Sequence, residues 1–122
     1  MNGSRPEPSD AWTAALERHL AAEGDSLLLG EIRAGDRLQV RTRHTCYDFT
    51  WGGGGAADLV TDREDRPAGA VRIHGCALGA GTTIAPDRIF NGGSLEFTSG
   101  DGSLVHRTTP IRSIRWWRRV AG

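Results

Sequence analysis

Two short patterns in the sequence could do chemistry: His44-Thr45-Cys46 and His74-Gly75-Cys76. Each sets an imidazole and a thiol two residues apart, which on a β-strand puts both on one face. Brought together, the two pairs would make a Cys2His2 set, the right chemistry for tetrahedral zinc. The spacing speaks against it, because zinc modules carry close Cys-Cys pairs and a cysteine is commonly a small buried filler. No metal ligand is therefore assigned; His106 is the nearest further candidate. Cys46 alone offers a second chemistry, since His44, Arg43 and Asp48 are its sequence neighbours and nearby positive charge favours a thiolate. Nothing marks an oxyanion hole or a third orienting group, so no catalytic residue is assigned either.

The glycine-rich segments do not make a nucleotide site. Gly75 to Thr83 lacks Walker spacing, and the chain contains no lysine at all, all fifteen of its basic residues being arginine. That absence excludes Schiff-base and P-loop lysine mechanisms. Gly79-Ala80-Gly81-Thr82-Thr83-Ile84 has Ile where a dinucleotide fingerprint needs its third glycine, and no strand-helix-strand context surrounds it. These glycines read as turns and a bend in a sheet. No cofactor is expected.

The segment Ile111-Arg112-Ser113-Ile114-Arg115-Trp116-Trp117-Arg118-Arg119 is the most distinctive surface signal. Arginine beside tryptophan suits a protein partner, where both are enriched among binding hot spots, or nucleic acid through phosphate contact and base stacking. Net charge zero and a pI near 6.9 favour the protein partner. The charge is unevenly spread: Met1 to Asp36 hold three arginines against seven acids, whereas Asp101 to Gly122 hold five arginines against one acid. The structural alternative is a last strand whose Ile114 and Trp116 close the sheet while its arginines answer the acidic start. The expected partner-binding residues are Arg112, Arg115, Trp116, Trp117, Arg118 and Arg119, with Arg43 and His44.

Those residues need elements to hold them. Residues 1–9, with Pro6 and Pro8, read as a disordered lead-in. An amphipathic helix over 10–24 follows, in which Trp12, Leu16 and Leu20 recur at i, i+4 and i+8, Ser9 or Asp10 supplies the cap, and Gly24 the stop. From 27 to 120 the pattern is that of short strands. Leu38 and Val40, then Tyr47, Phe49 and Trp51, switch parity around His44-Thr45, which a hairpin explains. That hairpin pairs Leu38 with Trp51, Val40 with Phe49 and Thr42 with Tyr47 inside, and sets Arg41 against Asp48 outside; a four-residue loop or a bent, bulged strand is the alternative. Further strands are read over Ala57 to Thr61, Ala70 to Leu78 (Val71, Ile73 and Gly75 on one face; Arg72, His74 and Cys76 on the other), Ser94 to Thr98 and Leu104 to Thr109, divided by Gly52 to Gly55, Asp62 to Pro67 and Gly100-Asp101-Gly102. The expected fold class is mainly β: a small antiparallel barrel or rolled sheet of about five to seven short strands, behind one N-terminal helix.

Gly35-Asp36, then Thr42-Arg43-His44-Thr45-Cys46-Tyr47-Asp48-Phe49, the strand end at Gly75, Gly92 to Phe97 and Thr109-Pro110-Ile111-Arg112-Ser113-Ile114 share their spacing with a known pattern. By it, Gly35 to Ile114 resembles uncharacterised bacterial small β-barrel proteins. The resemblance implies the barrel and no activity.

The sequence thus points to a non-catalytic interaction module with a protein partner or a second copy of itself. Nucleic-acid binding and a His/Cys metal or thiol protein are the alternatives. With no apolar leader, no stretch near the ~18 apolar residues of a membrane span, and two cysteines read as reduced thiols, the expected location is cytoplasmic.

Overall fold

The computed structural model describes residues 8–23, 25–62, 68–79 and 81–119. Residues 1–7, Gly24, 63–67, Ala80 and 120–122 fall outside them, so most of the lead-in, the helix stop and most of the Asp62 to Pro67 loop are not described.

Helix α1 spans Asp10–Glu23. Ser9 caps it by accepting the Trp12 N–H on its hydroxyl oxygen at 3.1 Å, which satisfies one of the donors that every helix start leaves open. Leu16 is buried, and Trp12 and Leu20 pack against the core on either side of it, as their spacing requires. His19 donates from Nε2 to the Asn91 carbonyl at 2.7 Å and meets Phe90 edge-on, fixing the helix over that segment.

The strands are β1 (Ser26–Leu28), β2 (Arg37–Arg41), β3 (Cys46–Gly53), β4 (Ala56–Thr61), β5 (Gly69–Ala77), β6 (Ile84–Ala85), β7 (Arg88–Phe90), β8 (Ser94–Ser99), β9 (Val105–Pro110) and β10 (Ser113–Trp117). The protein is mainly β, with antiparallel sheets and one N-terminal helix. β1 and β7 make a two-stranded ribbon; the other strands form one sheet in the order β10-β2-β3-β4-β5-β8-β9, with β6 attached to β5. The short strands β1, β6 and β7 carry too few residues for alternation to reveal them.

That sheet is strongly curled. Adjacent strands lie about 4.8 Å apart, so β3 and β8, with two strands between them, would be roughly 14 Å apart if the sheet were flat. Instead Phe97 of β8 meets both Tyr47 and Phe49 of β3 edge-on at 6.0 Å between ring centroids. The inward residues of these strands join one buried cluster with Leu38, Val40, Leu59, Val71, Leu95 and Ile111. The two ends of the sheet are joined by sequence: only Ile111 and Arg112 separate β9 from β10. Ile111 exchanges backbone hydrogen bonds with Gly92 and Gly93 beside β8, both 2.8 Å, while the Arg112 N–H donates to the Arg41 carbonyl of β2 at 2.7 Å.

Two expectations are corrected. The β2–β3 hairpin exists, but it pairs Leu38 with Phe49, Val40 with Tyr47, Gln39 with Asp48 and Arg41 with Cys46, two positions away from the expected register. The reason is the connection: Thr42 to Thr45 form a closed four-residue turn, with Thr42 N–H donating to the Thr45 carbonyl at 2.9 Å and Thr45 N–H to the Thr42 hydroxyl at 3.3 Å. Thr42 is therefore turn and not strand. In β5 the pairing with β8 slips between Ile73 and Gly75, inserting one extra residue. A one-residue bulge reverses which face the following side chains occupy. Ile73 and Cys76 both enter the core, and His74 stays on the outer side, where Nε2 meets the Thr98 hydroxyl at 3.1 Å.

Candidate interaction surface

The bulge separates the residues that could have bound a metal. Cys76 is fully buried, and desolvation pushes its thiol up to about 12. Cys46 lies half-buried on the outer face of β3, and His44 is exposed in the turn. Among the described residues no three His, Cys, Asp or Glu side chains gather at metal-binding range, and both cysteines are free thiols. His106 stacks on Phe97 at 5.5 Å, on the core side of β9.

The arginine and tryptophan residues are held differently. β10 pairs with β2 so that Ser113 opposes Arg41, Arg115 opposes Gln39 and Trp117 opposes Arg37. These six share the outer face, because Leu38 and Val40 between them are buried. Trp117 is 42% exposed, with the Arg37 guanidinium 5.1 Å from its ring centroid. Arg37 also donates from Nε to Asp48 at 2.9 Å. The salt bridge expected for Arg41 is thus taken by Arg37, a consequence of the corrected register, and no acid among the described residues pairs with Arg41.

Trp116 points the other way. It is half-buried against the core, donates its indole N–H to Asp36 at 3.1 Å, and lies beneath the Arg118 guanidinium at 4.6 Å. Asp36 is the hub of this end. Its carboxylate accepts the backbone N–H of Arg119 at 2.7 Å and of Arg33 at 2.9 Å as well as the indole, and these donors, the Arg119 N–H foremost, hold its pKa below the usual carboxylate value. The aliphatic part of Arg119 lies over Gly35, leaving no room for a side chain there. The structure therefore brings Arg115 and Trp117 together on one face, leaves Arg112 exposed in the bend before the strand, and packs Trp116 against the core. Arg118 and Arg119 follow the strand end, exposed.

Arg43 and His44 sit at the turn of the same hairpin. With Arg41, Cys46 and Asp62 they line a shallow polar cavity of about 200 Å³, whose floor is the Thr42 to Thr45 turn. The Cys46 N–H donates to Asp62 at 3.1 Å. A larger hollow of about 380 Å³, lined by Leu29, Ile32, Trp51, Ile73, Pro86 and three glycines, offers no ionisable side chain for acid-base work.

Sequence reasoning missed Arg37, Arg41 and Asp36 as parts of this region. The signal for the first two was present, since Arg37, Gln39 and Arg41 are the polar positions of an alternating strand. Asp36 gave none, because its partners Trp116 and Arg119 lie some eighty positions away. No protein-family model, curated protein or solved structure matches this chain.

Proposed function

We propose that this chain is a non-catalytic interaction module: a small β-barrel, closed by the bend that carries β9 into β10, that binds a protein partner through the outer face of β10 and β2. The observation that carries the reading is the exposed Trp117, stacked with Arg37 on two hydrogen-bonded strands and sharing their outer face with Arg115 and Arg41. Such rigid aromatic and guanidinium anchors are what protein hot spots are made of. Closure of the barrel is supported by Ile111 and Arg112, which reach β8 on one side and β2 on the other within two residues. No described helix is long and apolar enough to cross a membrane, and two free thiols suit a reducing cytoplasm.

The test is capture from the chain's own host, comparing the tagged wild type with an Arg115→Ala/Trp117→Ala variant and with Arg18→Ala on α1 as control. A protein retained by wild type and control in stoichiometric amount, and lost from the double variant, supports the reading. Identical eluates from all three sink it.

A further inference from the structure

The arginines of this face are unevenly satisfied. Asp48 is taken by Arg37 and Asp62 by the Cys46 N–H, and among the described residues no acid pairs with Arg41, Arg43, Arg112 or Arg115. Arg41 and Arg115 are diagonal neighbours across the β2–β10 pair, which sets the two residues roughly 7 to 8 Å apart and their Cβ atoms somewhat closer. Between them lie the Gln39 amide and the Ser113 hydroxyl, which can donate to an anion as readily as they accept. Arg112 stands one residue before β10, and Arg43 stands in the turn, across the polar cavity that Arg41 also lines. Four like charges on adjacent backbone repel one another, and Asp62, which shares the cavity with Arg41 and Arg43, closes no ion pair with them. An anionic ligand would.

The chemistry of that ligand follows from what surrounds the arginines. A nucleic acid needs free ring faces for its bases and a continuous basic track for its phosphates. Arg37 already covers one face of Trp117, and Trp116 is half-buried, capped by Arg118 and bonded to Asp36. Beyond β2 the same outer face carries Asp48, held by Arg37, and the exposed Asp58, so no continuous basic track for a phosphate backbone crosses the sheet. A short acidic peptide need only span β10 and β2, where each carboxylate can take a two-pronged guanidinium contact.

We propose that the outer face of β10 and β2 binds an acidic segment of a partner protein. Its carboxylates engage Arg41 and Arg115, Arg43 and Arg112 form the rim, and Trp117 is the apolar wall. This rests on the reading of the face as an interaction surface and adds the partner's chemistry.

The experiment is a fluorescence-anisotropy titration of the full chain with a labelled oligo-glutamate peptide, and in parallel with a single-stranded oligonucleotide of equal charge. The peptide is expected to bind more tightly than the oligonucleotide, and more weakly as salt is raised. Arg41→Gln and Arg115→Gln should each weaken it about threefold to tenfold, between the effect of an exposed ion pair and that of a charge-assisted hydrogen bond. The Arg41→Lys/Arg115→Lys variant, which keeps the charge but not the two-pronged contact, should bind between the wild type and the Arg41→Gln/Arg115→Gln variant, and Arg18→Gln should bind as the wild type does. Tighter binding of the oligonucleotide, or peptide binding unchanged in an Arg41→Gln/Arg115→Gln variant, overturns the proposal. If the peptide fails while the Arg115→Ala/Trp117→Ala variant still loses a captured partner, the acidic chemistry is wrong and the interaction reading stands; if that loss is absent too, both fall.

Discussion

Replacing Gly75 with alanine should cost this protein more stability than adding a methyl at any glycine with open space around it. Its φ of +134° lies in a region that residues with a Cβ scarcely enter, and an added Cβ would run into the Ala85 carbonyl while lying 2.9 Å from the Pro86 Cα. Both obstacles are backbone, which cannot swing aside as a side chain tip can. The backbone strain costs about 1–3 kcal/mol and the forced overlap about as much again, so the loss is about 2–6 kcal/mol. Two comparators separate the causes. Gly54 has φ +60° and open space around it, so Gly54→Ala meets only the left-handed strain, about 1–2 kcal/mol. Gly30 has neither a positive φ nor a neighbour within 4 Å, so Gly30→Ala should be neutral or stabilising by about 0.4–1 kcal/mol through the unfolded chain. Urea melts followed by tryptophan fluorescence read the series; at a slope of about 2 kcal/mol per molar, a loss of 4 kcal/mol lowers the midpoint by about 2 M. A Gly75→Ala variant no less stable than Gly54→Ala would refute the bulge geometry, and with it the account of why Cys76 and His74 part company.

Two other expectations concern single groups. A thiol raised from an ordinary 9.0 to about 12 holds about a thousandfold less thiolate at a given pH, so an aromatic disulfide reagent should label Cys46 in the native protein and Cys76 only after denaturation. Equal native rates at Cys46→Ser and Cys76→Ser variants would contradict the buried placement. The Asp36 carboxyl is lowered in the folded state, so its stabilisation is complete above the unfolded value near 3.8 and disappears as pH falls through the lower folded value. Asp36→Asn should therefore be less stable than wild type at neutral pH, with the gap closing in acid. Asp101, lowered to about 2 chiefly by hydrogen bonds from Ser103, should behave likewise between about pH 4 and 2. Acid titrations of the melting temperature check both, and a pH-independent gap would rule out the charge as its source.

Much of the architecture was legible because it is written locally. The i, i+4 spacing of Trp12, Leu16 and Leu20 marks α1, and the alternation of Leu38 with Val40 and of Leu95 with Phe97 marks β2 and β8. Gly100-Asp101-Gly102 turns between β8 and β9 as its composition suggests. What could not be read depends on distant partners. The register of β2 with β3 hinges on Thr42 joining the turn through its hydroxyl, and the bulge in β5 exists only relative to β8. At the candidate surface, sequence singled out Arg115 and Trp117 as exposed binders but could not divide them from Trp116, whose role depends on Asp36. Neighbouring residues on one strand look alike until it is known on which side the core lies.

The bend from β9 into β10 also has a consequence in time. β2 finds its hairpin partner β3 at once as the chain is made, but its other edge must wait for residues 113–117, on the order of several seconds at ribosomal speeds. Contacts between such remote segments are slow to form even in a complete chain. Throughout that interval the open edge is a template for pairing with foreign strands, and charged side chains are a known deterrent to such pairing. Arg37 and Arg41 stand on that edge, where their charges oppose such pairing until β10 arrives.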